Sequence, residues 1–264
     1  MRHNNIPIYS KQDFESMRQA GSLAADILDT LYEKIVPGVS TQEINDFCHK
    51  KILKHNALPA PLNYRGFPKS VCTSVNHVVC HGIPSEKKIL KDGDIINVDV
   101  TVILNGWYGD SSRMYVAGKI NKKINEFLKI TYESLLVGIS EAVPGKHIGD
   151  IGNKIQKLAE GKGYSVVRDF CGHGIGKEFH TPPSVLHFGE PGEGPRLEPG
   201  MFLTIEPMIN LGGWQTKILN DGWTAVTKDK SLSAQFEHTI GITEDGNEIF
   251  TLSKNNTAFP INNV

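Results

Sequence analysis

The chain lacks most features that mark secreted, membrane and nucleic-acid-binding proteins. Its 264 residues include four cysteines, with no CxxC spacing, so we expect reduced thiols in a cytoplasmic protein. No apolar run approaches the roughly 20 residues of a membrane-spanning helix, and the first residues lack the apolar segment of a secretory signal. The net charge of −1 gives no indication of binding to nucleic acids or to a membrane surface.

Several catalytic signatures are missing as well. The sequence has neither a Walker loop nor an HExxH motif, and the glycines of 172–176 depart from the dinucleotide fingerprint. Cysteine–histidine catalysis through Cys80-His81 is disfavoured because adjacent strand residues point apart. No linker rich in Pro, Gly or Ser divides the chain, so we expect a single catalytic domain over residues 1–264.

A hairpin pattern surrounds Asn105-Gly106. The β-branched residues of 95–103 predict a buried strand, and Asn-Gly is the preferred pair for a two-residue type I′ turn. This turn places Thr101 opposite Asp110, so Asp99 and Asp110 become diagonal neighbours on one face. Two carboxylates among valines and isoleucines need a cation between them, which indicates a divalent metal site. The alternative is one aspartate capping a turn and the other solvated.

A helix pair occurs twice in the sequence. Apolar spacing predicts a helix that begins at Ser10 and continues to Pro37-Gly38, followed by a helix that begins near Ser40. The same pattern returns in a helix that ends at Pro144-Gly145 and a shorter one that ends at Gly161.

The two copies align at an offset of 107 residues, at which Val98-Asp99 matches Ile205-Glu206. We therefore predict an α+β protein of two duplicated halves, about 10–118 and 119–250, related by a pseudo-twofold axis. A mostly antiparallel sheet would carry the helices on its convex face and leave the concave face for chemistry. Each half would contribute one carboxylate and one His-Gly turn, at His81 and His173, to a site on the axis.

Five side chains are candidate metal ligands: Asp99, Asp110, His173, Glu206 and Glu237. Carboxylate and imidazole donors suit Mn²⁺, Fe²⁺, Co²⁺ or Zn²⁺ and do not indicate a thiolate zinc site. Taken alone, His173 is typical of a hydrogen-bonded turn histidine and Glu237 of a solvated strand residue.

Six blocks of the sequence, in order, strongly resemble the bacterial-style type I methionine aminopeptidases: VCHGIP at 79–84, NVDVT at 97–101, GDSS at 109–112, CGHGIG at 171–176, TIEPM at 204–208 and QFEHT at 235–239. The resemblance covers nearly the whole chain. It implies the pita-bread fold and a metal-dependent hydrolase that removes the N-terminal methionine of newly made proteins when the second residue is small.

The resemblance also implies roles for individual residues. Asp110 and Glu237 would bridge two divalent ions (Co, Mn, Fe or Zn), with Asp99 on one ion and His173 and Glu206 on the other. Glu206 would transfer the proton of the attacking water. The other implied residues are His180 near the scissile carbonyl, His81 on the leaving side, a methionine pocket of Tyr64, Phe67, Cys72, Phe179 and Trp223, and a monovalent-cation site at Asn76, Val78 and Ser233.

Two alternatives remain open at this point. Another pita-bread peptidase, specific for X-Pro bonds, would carry a large N-terminal domain that we do not expect here. A non-catalytic ribosome- or RNA-binding relative would have lost metal ligands and gained basic segments. We expect instead a monomeric enzyme acting on nascent N-termini near the ribosome, with no membrane association.

Overall fold

The structure, a computed structural model, describes residues 6–255. Its helices are α1 (Lys11–Asp29), α2 (Thr41–Lys54), α3 (Lys122–Glu141) and α4 (Ile148–Gly161), with a 3₁₀ turn at Tyr64–Gly66. The strands are β1 (Leu58–Pro59), β2 (Cys72–Val75), β3 (Val78–Cys80), β4 (Asp94–Leu104), β5 (Trp107–Ala117), β6 (Ser165–Val166), β7 (Gly172–Gly174), β8 (Thr181–Val185), β9 (Phe202–Ile205), β10 (Met208–Asn210), β11 (Thr216–Ile218), β12 (Ala225–Thr227), β13 (Ser233–Gln235), β14 (His238–Ile242) and β15 (Asn247–Ile249). Within this range, none of the four helices has the length and apolar character needed to cross a bilayer.

Helix α1 begins where the sequence predicts and ends earlier. Ser10 and Asp13 form a reciprocal capping box at its start. The helix ends at Asp29, not at Pro37-Gly38, because Thr30 caps it and the chain continues in turns. Leu31 and Ile35 are nevertheless buried, and these turns keep their side chains at helix-like spacing. Helix α3 also ends early, at Glu141 rather than at the following Pro-Gly.

The predicted hairpin is confirmed in its register. Strands β4 and β5 pair antiparallel, with Thr101 opposite Asp110. Asn105 and Gly106 have φ values of 51° and 81°, the left-handed region that a type I′ turn requires at both positions. The free edge of β4 pairs with β1 and β2. The hairpin therefore anchors the first half of the molecule.

The duplication is visible in the backbone. Helices α2 and α4 each contain 14 residues and are offset by the predicted 107 positions. At the same offset, an isolated bridge joins Ser40 to Ile89 in one half and His147 to Arg196 in the other. The two halves therefore enter their second helix from the same local structure.

Each half has its own apolar core beneath its helices. Strand β4 shows how the core and the opposite face are separated: Ile96, Val98, Val100 and Val102 pack with residues of α1 and α2. The alternate residues Asp99 and Thr101 point to the other face. In the second half, residues of α3 and α4 pack against β9 and β14. The described strand pairs are all antiparallel. The helices cover one face of these sheets, and polar residues lie on the other.

Candidate metal centre

A cavity of about 870 Å³ opens on the face of the sheet that the helices do not cover. Strand ends from both halves meet there, so residues far apart in the chain become neighbours. The structure brings all five candidate ligands to its wall, namely Asp99, Asp110, His173, Glu206 and Glu237.

The first half supplies two aspartates from the central hairpin. Asp99 lies on β4 and Asp110 on β5, as the hairpin register dictates. The Thr101 hydroxyl donates to Asp110 Oδ1 at 2.6 Å. Among residues 6–255, Asp99 Oδ1 is buried and has no hydrogen-bond partner. A buried carboxylate oxygen without a donor is costly, so this atom suits coordination to a cation.

The second half supplies the other three ligands from strand ends. His173 lies on β7, Glu206 directly follows β9, and Glu237 lies between β13 and β14. His173 Nε2 is 3.7 Å from both Asp110 Oδ2 and Glu206 Oε1. One donor atom each from Asp110, His173 and Glu237 all lie within 4.8 Å of one another. Three elements thus converge on one point of the cavity.

The electrostatics of this cluster favour a bound cation. Burial raises the pKa of Asp99, Glu206 and Glu237 well above their usual range, and the charge of Asp110 raises each of them further. Burial lowers the pKa of His173 to about 4, so its imidazole is neutral near pH 7 and does not neutralise the acids. Burial thus disfavours the ionised carboxylates unless a cation compensates their charge, and this set of carboxyl and imidazole donors fits divalent ions such as Mn²⁺, Fe²⁺, Co²⁺ or Zn²⁺.

Several residues that orient these ligands were not anticipated. Thr204 Oγ1 donates to Glu206 Oε1 at 2.9 Å, and Gln235 Nε2 donates to Glu206 Oε2 at 3.1 Å. Thr101 lies two positions after Asp99 on the same face of β4, and Thr204 and Gln235 lie two positions before Glu206 and Glu237. That spacing is a sequence signal that could have identified them. Such outer contacts set the orientation of metal ligands.

The residues expected to form a methionine pocket also line the cavity, namely Tyr64, Phe67, Cys72, Phe179 and Trp223. Phe67 meets Trp223 edge-on at a centroid distance of 5.3 Å, and Tyr64 contacts Phe179 at 4.9 Å. Aromatic rings and a buried thiol form an apolar, polarisable wall, which suits a thioether side chain.

Two further histidines border the same space. His180 Nδ1 lies 2.9 Å from the Tyr64 hydroxyl, and its ring centroid is 4.1 Å from that of His173. His81 follows β3 and faces Trp223 edge-on at 6.1 Å. Burial lowers the pKa of both His81 and His180, and the neighbouring His173 lowers that of His180 further. Both rings are therefore neutral near pH 7.

Asn76, Val78 and Ser233 are placed differently, since they are not part of the cavity wall. The backbone N–H of Ser233 donates to the carbonyl of Asn76 at 2.9 Å, and the Asn76 amide donates to Asp94 at 2.7 Å. Val78 opens β3 two positions after Asn76. The structure thus brings Asn76 and Ser233 together at a junction of strands.

Comparison with known proteins agrees with this geometry. Residues 15–244 match the model of metallopeptidase family M24. The chain is 56% identical to methionine aminopeptidase of Rickettsia prowazekii, over 97% of this chain and 98% of that protein. It is 55% identical to methionine aminopeptidase A of Synechocystis, over 95% and 99%.

The crystal structure of the Rickettsia prowazekii methionine aminopeptidase superposes with a TM-score of 0.92 at 57% identity, covering 94% of this chain and 100% of that chain. The pita-bread fold predicted from the sequence is confirmed, and the X-Pro and non-catalytic alternatives are not favoured. The chain belongs to metallopeptidase family M24 and, within it, to the methionine aminopeptidases.

Proposed function

We propose that this chain removes the N-terminal methionine from newly made proteins whose second residue is small. The observation that carries the proposal is the convergence of Asp99, Asp110, His173, Glu206 and Glu237 at the wall of an aromatic-lined cavity. The enzyme is a metal-dependent aminopeptidase, as its family and its nearly full-length similarity to methionine aminopeptidases indicate.

We further propose a two-ion centre. Asp110 and Glu237 would bridge the ions, Asp99 would hold one ion, and His173 and Glu206 would hold the other. The close approach of donor atoms from Asp110, His173 and Glu237 supports their sharing of one ion. When bound, a pair of divalent ions makes water nucleophilic near pH 7 and polarises a carbonyl. The donors suit Co, Mn, Fe or Zn.

Glu206 is the proposed proton carrier. Its two carboxylate oxygens each accept a hydrogen bond, from Thr204 and Gln235, which holds the group in one orientation towards the cavity. From there it takes the proton of the attacking water and returns it to the leaving amine. Because water is the nucleophile and no side chain attacks the carbonyl, no covalent intermediate is needed.

The two histidines at the border of the cavity act on the substrate. We propose that His180, whose Nδ1 meets the Tyr64 hydroxyl, donates from Nε2 to the carbonyl oxygen of the scissile bond, where negative charge develops. His81 contacts the peptide on its leaving side. The pocket of Tyr64, Phe67, Cys72, Phe179 and Trp223 then receives the methionine side chain.

The remaining features of the proposal concern the setting of the enzyme. The whole chain, 1–264, would act as one catalytic domain and as a monomer in the cytoplasm, on nascent N-termini near the ribosome. Asn76, Val78 and Ser233 would hold a monovalent cation, and the contact of Asn76 with Ser233 at a strand junction supports this.

A peptide-cleavage assay on metal-free protein tests the function. Mass spectrometry would follow Met-Ala-Ser and Ala-Pro-Ser peptides after separate addition of Mn²⁺, Fe²⁺ or Co²⁺. We expect release of methionine from the first peptide alone, abolished by a chelator and by Glu206→Gln. Glu244→Gln, at an exposed position, is the matched control and should keep full activity. Cleavage before proline would instead assign the chain to X-Pro peptidases, and no cleavage of either peptide would refute the enzymatic function.

A further inference from the structure

His187 is a fully buried histidine that belongs neither to the candidate ligands nor to the cavity wall. It follows β8 and has no exposed surface. Its Nε2 accepts a hydrogen bond from the backbone N–H of Glu206 at 3.1 Å. The ring therefore contacts the backbone of the proposed proton carrier from outside the cavity.

The N–H of Glu206 needs this partner because of where β9 ends. The last ladder pair of β9 with β14 joins Ile205 to His238, and Pro207 follows Glu206 without a backbone donor. In the first half the corresponding carboxylate, Asp99, lies within β4 and is flanked by paired strands on both sides. In the second half the backbone N–H of Glu206 bonds to the His187 imidazole instead of to a neighbouring strand.

The contact fixes the tautomer of the ring. An Nε2 that accepts a hydrogen bond carries no proton, so the single proton of the neutral ring lies on Nδ1. Among residues 6–255, no partner lies within hydrogen-bond distance of His187 Nδ1. The Nδ1–H is therefore a buried donor without a partner, which is unfavourable. Since the ring is nevertheless held in this orientation, we infer that the hydrogen bond accepted by Nε2 is the contact that the site requires.

We propose that His187 is a positioning residue for Glu206. Thr204 and Gln235 hold the carboxylate oxygens, and His187 fixes the backbone from which the side chain extends. Together they leave Glu206 a single orientation, and small misplacements of such a group are costly for both metal binding and proton transfer. The inference rests on the role of Glu206 in the proposed function.

The tautomer is tested on the wild-type protein by NMR with ¹⁵N-labelled histidine. We expect one histidine, assigned by its absence from His187→Gln, to show a protonated Nδ1 and an unprotonated, hydrogen-bonded Nε2 in metal-free protein near neutral pH. A protonated Nε2 at this residue would overturn the proposal.

Two variants of similar length and volume test the consequence. His187→Gln keeps a strong carbonyl acceptor near the Glu206 amide, whereas the thioether of His187→Met is only a weak acceptor. In calorimetric titration of metal-free protein with Mn²⁺, we expect His187→Met to raise the dissociation constant ~10–100-fold and His187→Gln to stay close to wild type. On Met-Ala-Ser, kcat should fall for His187→Met with KM unchanged, since the ring does not contact the substrate.

The control is Tyr115→Phe, which removes a buried hydrogen bond to the carbonyl of Leu28 in the first-half core. It should lower the Tm without changing Mn²⁺ affinity. Equal weakening by His187→Gln and His187→Met, or wild-type affinity in both, would show that His187 only fills space. Failure of wild-type protein to cut Met-Ala-Ser would refute the proposed function instead, and the affinity pattern would remain a separate result.

Discussion

At the scale of single residues, the site depends on hydroxyl groups as well as on its acids. The hydroxyls of Thr101 and Thr204 donate to Asp110 and Glu206 at 2.6 and 2.9 Å. Each bond lowers the pKa of its carboxyl group against the opposing effect of burial. The two threonines thus favour the ionised ligands that a metal ion requires.

Thr101→Val tests this role, because valine has nearly the shape of threonine without the hydroxyl. We expect the Mn²⁺ dissociation constant of metal-free protein to rise ~10–100-fold, the usual effect of losing an outer contact to a ligand, as measured by calorimetric titration. Thr101→Ser should restore most of the affinity. Thr131→Val is the control, since it removes a buried hydroxyl bond within α3. Unchanged affinity in Thr101→Val would exclude a role for the hydroxyl in the site.

A site residue could be predicted from the sequence when its contacts are with residues close to it in the chain. Asp99 and Asp110 follow from a two-residue turn, so the hairpin register alone places them together. His173 and Glu237 come from distant segments. The duplicated His-Gly turn indicated His173, whereas only the resemblance to a family selects Glu237 from the other glutamates. His187 has no neighbouring sequence signal, because its partner Glu206 can be identified only once the sheet that contains β7, β8 and β9 is assembled.

At the scale of elements, close packing of α1 on the central hairpin holds the first two ligands in place. Gly109 of β5 lies directly against the backbone of α1 at Ala20 and Gly21, so that a Cβ at Gly109 would overlap both. Asp110 is the next residue along the strand. The contact requires glycine for space, since no left-handed backbone angle is involved at this position.

Gly109→Ala should therefore destabilise the protein by about 1–3 kcal/mol, the range for an overpacked core, as measured by the midpoint of urea unfolding. The matched control is Gly161→Ala at the end of α4, where a Cβ meets no other atom. That change should stabilise by about 0.4–1 kcal/mol, because alanine reduces the freedom of the unfolded chain. Equal stability of the two variants would contradict the packing argument.

Element boundaries were predicted well where a capping residue fixes them and poorly where turns imitate a helix. Ser40 starts α2 with a capping box, and the sequence signal for it is local. The predicted end of α1 was wrong because the turns after Thr30 keep Leu31 and Ile35 buried. Apolar spacing reports burial, and here burial continues beyond the helix.

At the scale of the whole molecule, the site exists because two similar halves meet. The 107-residue offset predicted that Asp99 and Glu206 are counterparts, and both line the same cavity. The halves differ in how they hold these carboxylates: a continuous strand surrounds Asp99, whereas β9 stops before Glu206. Sequence offset alone could not show this asymmetry, which depends on strand lengths.

The meeting of the halves also determines how stability responds to pH without metal. The pKa values of Asp99, Asp110, Glu206 and Glu237 are all raised in the folded protein, chiefly by burial. A raised carboxyl pKa means that the folded state prefers the protonated form. The stability from that preference is complete below the ordinary pKa values of 3.8 and 4.5 and is lost as the pH rises through the folded values.

The Tm of metal-free protein should therefore fall between about pH 7 and about pH 8. In this range ordinary surface carboxyls are already ionised, and the buried histidines, whose pKa values are lowered from 6.5, are neutral in the folded protein and largely neutral in the unfolded chain. Bound Mn²⁺ should raise the Tm more at the higher pH, because it requires ionised ligands. Asp99→Asn should raise the Tm of metal-free protein at about pH 8 and reduce its gain from Mn²⁺. Differential scanning calorimetry at both pH values, with and without Mn²⁺, measures all three effects. A Tm that rises with pH in the metal-free protein would show that the acid cluster is not the source of its pH dependence.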